Sequence, residues 1–133
     1  MKDLIMTTMI AAAATTAAAS ETMMSNAQLD GLLTGNTLYL AIPAGGPGGP
    51  DGGTAPFLYG ADGKAAVKLP VGTTLVGTWT IENDRYCVDW DNGPKNSCTQ
   101  MVKSGGTISM IDPQTGENRG TVENIVPGNP ESL

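Results

Sequence analysis

The sequence predicts an all-β domain: a small antiparallel up-and-down barrel of about seven or eight strands with a short N-terminal helix. Three observations carry that reading. Wherever a period can be read in the second half of the chain it is two, the repeat of a strand with one face buried. The segments are joined by short turn signals, which suit antiparallel neighbours, whereas parallel crossovers need about a dozen residues or more. Eighteen Gly and nine Pro beside a single Phe describe a turn-rich chain rather than a helical bundle. A two-sheet sandwich gives the same alternation and is the alternative.

At the N-terminus Lys2 precedes an uncharged run from Leu4 to Ala19 that closes on Thr15-Thr16-Ala17-Ala18-Ala19-Ser20. A positive start, an apolar stretch and small residues at Ala17 and Ala19 are the layout of a cleavable signal peptide over residues 1–19, despite Asp3. The run falls short of the roughly 20 apolar residues that span a bilayer and is diluted by Thr, so no stable membrane insertion is expected once it is removed. The expected location is periplasmic or secreted. One β-rich domain over residues 20–133 remains, enough chain to bury roughly two-thirds of its unfolded surface.

Ser25 to Gly35 reads as a short helix with Ser25 as N-cap, Gly35 just past its end and an apolar face of Leu29, Leu32 and Leu33. A strand from Thr37 to Ile42 follows, closed by Pro43. The Gly/Pro-rich stretch over residues 44–53 cannot join a ladder regularly and is expected to be a surface loop, either a binding lid or a tolerated insertion. Next come Pro56 to Gly60 and Lys64 to Leu69. Between Leu75 and Ile81, the residues Leu75, Gly77, Trp79 and Ile81 share one face, and Trp79 is expected to point inward. Tyr86, Val88 and Trp90 alternate with Cys87, Asp89 and Asp91, which sets an apolar face against an acidic one. Cys98 to Lys103, Thr107 to Ile111 and Gly120 to Val126 complete the strands.

These residues also carry a resemblance. Leu33-Thr34-Gly35-Asn36-Thr37 after a short helix, Asp62-Gly63 in a hairpin, Gly77-Thr78-Trp79, Cys87-Val88-Asp89-Trp90, Cys98 and Pro127-Gly128-Asn129 together resemble an uncharacterised family of small exported proteobacterial domains. Those domains are similar to lipocalin-like barrels. The resemblance covers most of the chain after residue 19 and implies the fold more than a function, its motifs being mainly glycines and turns. The Gly/Pro stretch departs from the family's pattern.

The chain has two Cys, and in an exported protein they are expected to form a disulfide. A turn centred on Asn92-Gly93 sets Cys87 opposite Cys98 at bridgeable range, and Pro94, which lacks an N–H, implies a wider loop with the same pairing. A redox-active pair lacks support, because the spacing is not C-x-x-C and the neighbours are acidic. Asp89-Trp90-Asp91-Asn92-Gly93 looks like the opening of a calcium loop but lacks its closing Glu, so solvated turn chemistry is the better reading and no metal is expected. Met101 and Met110 read as core filler rather than copper ligands.

The chain contains no His, which removes the usual proton shuttle and the Ser-His-Asp and Cys-His systems. No phosphate loop or metal cluster is visible, so neither catalysis nor a cofactor is expected. The net charge of −6 makes nucleic acid and anionic lipid poor partners. Two non-catalytic roles follow. One is an interaction protein, an inhibitor or accessory subunit that contacts an envelope protein through Asp84, Asp89 and Asp91. The other is a lipocalin-like carrier of a small apolar ligand, with Tyr39, Tyr59, Trp79, Tyr86 and Trp90 as pocket candidates, residues that otherwise simply fill the core. The protein partner is placed ahead.

Overall fold

The computed structural model describes residues 21–133. The expected signal segment, residues 1–19, lies outside the described residues.

The chain enters as a two-residue strand, β1 (Thr22–Met23), and then turns into helix α1 (Asn26–Leu33). Ser25 caps the helix in a reciprocal box: its hydroxyl accepts from the Gln28 backbone N–H, and the Gln28 side chain accepts from the Ser25 N–H. Such an arrangement satisfies two of the backbone donors that every helix start leaves free. Eight residues are too few to hold a helix in water by themselves, so tertiary contact must supply most of its stability. That contact comes from Leu29 and Leu33, both fully buried in the same apolar cluster as Leu38, Trp79 and Met101.

Eight further strands follow: β2 (Asn36–Ile42), β3 (Gly53–Tyr59), β4 (Lys64–Lys68), β5 (Thr74–Glu82), β6 (Arg85–Trp90), β7 (Ser97–Ser104), β8 (Thr107–Ile111) and β9 (Asn118–Pro127). Each is antiparallel to the next, and β9 returns to pair with β2, so β2–β9 close into an eight-stranded up-and-down barrel. Closure is the feature that separates a barrel from a sandwich, and the barrel is what forms. β1 pairs with β7 at Lys103 and Val102, beyond Thr99, where the β6 ladder ends. It covers an edge that β6 is too short to reach.

The alternation predicted along β5 is observed, with Gly77 and Trp79 buried between exposed Val76, Thr78 and Thr80. Gly77 is needed where it stands. A Cβ there would run into the Asp89 carbonyl and come within 2.9 Å of the Trp90 Cα, because Gly77 and Trp90 face each other across the β5–β6 ladder. The turn after β5 is the two-residue pair Asn83-Asp84, with φ of 54° and 57°. Positive φ at both central residues is the signature of the hairpin turn whose twist matches that of the strands.

Asp84 also ties this hairpin to the helix. Its carboxylate accepts from the Asn26 backbone N–H at 2.9 Å, and its own N–H donates to the Asn26 side-chain oxygen at 2.7 Å. Helix α1, packed on β2, β5 and β6, therefore plugs one end of the barrel. The strand directions put the segments 43–52, 69–73, 91–96 and 112–117 together at the other end, which forms the mouth. Among the described residues no helix is long and apolar enough to cross a membrane.

Candidate functional site

Inward-facing side chains fill the half of the barrel next to α1, but toward the mouth they leave a cavity of about 330 Å³. Phe57 from β3, Val67 from β4, Leu75 from β5, and Tyr86, Val88 and Trp90 from β6 form much of its wall. These are the odd- or even-numbered positions of their strands that period two sends to one face. The Gly/Pro stretch lies across the mouth as a short 3-10 turn, Gly46–Gly48, and its Pro47 lines the cavity. Gly52, at φ 65°, lets the loop fold back closely, since a Cβ there would sit 2.5 Å from the Ile42 carbonyl oxygen. The predicted surface loop is thus a loop with an inner face.

Aromatic rings form the floor. Tyr59 stands edge-on to both Tyr86 and Trp79, with ring centroids 5.2 and 5.5 Å away. The Tyr59 hydroxyl donates to the Tyr86 oxygen at 3.1 Å. Burial of this pair disfavours the phenolate. It pushes Tyr86 up to about 12, against the opposing effects of hydrogen bonds from Tyr59 and Thr99 and of the nearby Arg119 charge. Tyr59 is driven well above the ordinary tyrosine range by its burial, by the adjoining Tyr86 and by the bond it donates.

Among the described residues, one charged side chain reaches this apolar wall. Arg119 donates through Nη1 to the Cys98 carbonyl at 3.0 Å and to Thr99 Oγ1 at 3.3 Å, and through Nη2 to Asp112 Oδ2 at 2.6 Å. Asp112 is itself fixed, because its other oxygen accepts from the Gln114 backbone N–H at 2.8 Å. That bond and the Arg119 guanidinium, outweighing some desolvation, hold its carboxyl below the usual carboxylate range, so it is ionised at neutral pH.

The pocket candidates separate into two sets. Tyr59, Tyr86 and Trp90 line the cavity. Trp79 is buried as expected, but it lies in the filled half and donates its indole N–H to the Gly60 carbonyl at 2.9 Å. Tyr39 stands on the outer surface, where its hydroxyl donates to Glu131 at 2.7 Å. Between the inward Leu38 and Leu40 no other orientation is open to it. The three acidic candidates are not gathered into one patch. Asp84 is at the plugged end, whereas Asp89 and Asp91 flank the mouth, a strand length away. Asp89 accepts from the Asn96 backbone N–H at 2.6 Å, so it closes the wide 91–96 loop. Met101 is fully buried, and Met110 lines the cavity. Cys87 and Cys98 are paired across the β6–β7 ladder and joined as a disulfide.

Among the other wall residues, Phe57 is an aromatic ring outside the five pocket candidates, and Val67, Leu75, Val88 and Arg119 are not aromatic at all. The aliphatic ones were readable from period two; Arg119 was not. It precedes Gly120 at a ladder irregularity between β8 and β9, and a bulge shifts which side chain faces inward.

The buried tyrosines give a direct check. Unfolded chains lose the phenolic proton near pH 10, while Tyr59 and Tyr86 keep theirs to higher pH when folded. Stability is therefore unaffected by these groups below about pH 10 and falls as pH rises beyond it. Of the three tyrosines in the chain, only the surface Tyr39 is expected to ionise before alkaline unfolding, in an absorbance titration followed beside circular dichroism. Reversible ionisation of all three with the fold intact contradicts the arrangement.

Comparison of the chain with protein-family models, with curated proteins and with solved structures gives no match in any of the three.

Proposed function

We propose that this protein is a non-catalytic carrier that holds one small, largely apolar molecule in the mouth of its barrel. The observation that carries the reading is the 330 Å³ cavity, walled by aromatic and aliphatic side chains in a closed eight-stranded barrel. Barrels of this size have interiors that either fill with side chains or hold one small ligand, and ligand sites begin at about 300 Å³. Taking a water's share of liquid as about 30 Å³, the space takes on the order of a dozen non-hydrogen atoms. The polar groups beside it are phenols that stay protonated at neutral pH, the hydroxyls of Ser97 and Thr99, and an arginine already paired with a carboxylate, a set suited to binding rather than proton transfer. The disulfide supports an oxidising compartment, and with it an exported, periplasmic or secreted, protein. A partner surface built on Asp84, Asp89 and Asp91 has less support, because the three are spread over both ends of the barrel and two are bonded to backbone N–H groups.

Titration with n-butylbenzene, followed by Trp fluorescence and by shifts of the Trp90 indole resonance, is expected to show saturable binding at one site. The variant Val67→Phe places a ring in the cavity and is expected to weaken that binding at least tenfold without lowering the melting temperature, since the added atoms enter empty space. An unsaturable response, or equal binding by the variant, overturns the carrier reading.

A further inference from the structure

The apolar wall specifies a greasy body for the ligand; Arg119 adds a condition on its other end. A guanidinium has five N–H donors. Three bonds, to the Cys98 carbonyl, to Thr99 and to Asp112, account for three of them. Two remain without a protein acceptor among the described residues, on a side chain that lines the cavity and is 34% exposed. A ligand that fills the cavity comes to lie against Arg119 and displaces water from the part of it that lines the wall. Unless that ligand brings an acceptor, those donors are left bare in an apolar setting, which is unfavourable.

The kind of acceptor follows from charge. Asp112 lies 2.6 Å from Nη2 and is pinned by the Gln114 N–H, so the guanidinium already has its counter-ion and the pair as a whole is neutral. A carboxylate placed on the same guanidinium sits beside a second, fixed carboxylate, and like charges at that range repel. Its approach is opposed as well by the chain's net charge of −6. An uncharged oxygen meets neither obstacle.

We infer that the cavity selects small amphipathic molecules whose polar end is an uncharged acceptor, such as an amide, ester or ketone carbonyl, docked on the free N–H groups of Arg119, and that Asp112 sets this preference against carboxylates. The inference rests on the carrier reading, and three probes of similar size separate the two. n-Butylbenzene reports the cavity alone, octanamide adds an uncharged acceptor, and octanoate has the amide's shape with a charge.

The wild-type protein is expected to bind octanamide about tenfold more tightly than octanoate, because the carboxylate meets the fixed Asp112 charge and the amide does not. Arg119→Met is expected to lose about that factor for octanamide relative to n-butylbenzene. Asp112→Asn, which keeps the shape and removes the competing charge, is expected to raise octanoate affinity to at least that of octanamide. An unchanged circular dichroism spectrum and a cooperative melting transition show that each variant is folded. Should Arg119→Met fail that control, Arg119→Lys takes its place, keeping the charge while losing the fork. If n-butylbenzene binds but wild type fails to prefer the amide, or Asp112→Asn leaves the preference unchanged, the inference is overturned and the carrier reading stands. If no probe binds, both fall.

Discussion

Truncating Leu29 to Ala is expected to lower the free energy of unfolding by about 3–5 kcal/mol, the upper part of the range for emptying a fully buried leucine site. Leu29 is completely buried and sits on the helix that plugs the barrel. The loss has two sources. Apolar atoms return to water, and the hole they leave is bounded by strands that cannot collapse inward without breaking ladder bonds. The capping box and the Asn26–Asp84 clamp keep the helix start in place, so the site has little freedom to close by shifting α1. Urea denaturation at neutral pH measures the effect. Because the cavity lies toward the mouth, n-butylbenzene affinity is expected to stay within a factor of two of wild type. A stability loss under 1 kcal/mol would show that α1 is not the plug described above.

Reducing the Cys87–Cys98 disulfide is expected to cost about 2–3 kcal/mol, the chain-entropy value for a loop of this length. The bridge closes a separation of 11 residues and joins directly opposed positions. Its place in the fold makes the effect local as well as global. The β6–β7 ladder holds only three residue pairs, Tyr86 with Thr99, Cys87 with Cys98 and Val88 with Ser97, and beyond them the strands part into the wide 91–96 loop. Without the covalent link this seam is as thinly paired as the β3–β4 and β8–β9 ladders, which also hold three pairs each. Reduction or the double Cys→Ala variant is expected to lower the urea midpoint and to speed amide exchange first at residues 86–88 and 97–99. An unchanged midpoint with both thiols demonstrably free would sink this account.

Much of the barrel could be read directly in the sequence, for a physical reason. A strand with one face on a core must alternate, as β5 does throughout and β6 does at every position but the buried, disulfide-bonded Cys87. Trp79, Tyr86 and Trp90 lie inward as that alternation predicts. The Cys pair was legible because residues equidistant from a turn oppose each other, even though Pro94 widened the loop. What failed was the step from aromatic residue to pocket. Tyr39 is aromatic but lies between Leu38 and Leu40, and the same alternation that fills the core sends it out to Glu131. Trp79 is inside but too near α1 to border the cavity, a matter of position along the barrel axis that side-chain type does not encode. β1 is too short to have a period. Arg119 reaches the cavity through a local irregularity that composition cannot reveal. Asp84 looked like surface charge because its partner, Asn26, is distant in sequence.

The order of strands around the barrel also bears on how the chain folds. Within the β2–β9 barrel every pairing but one joins neighbours in sequence, through links of ten residues or fewer, so hairpins can form one after another with little chain to constrain. The exception is β2 with β9, which have almost all of the barrel sequence between them. Bringing those two together restricts roughly ninety residues rather than roughly ten, an extra entropic cost of about 2 kcal/mol. The final seam is thus the natural kinetic bottleneck, and until it zips the chain is a curled ribbon with two raw edges. Those edges offer unpaired backbone groups to other chains, so the hazard of misassembly is concentrated in the interval before the last strand arrives.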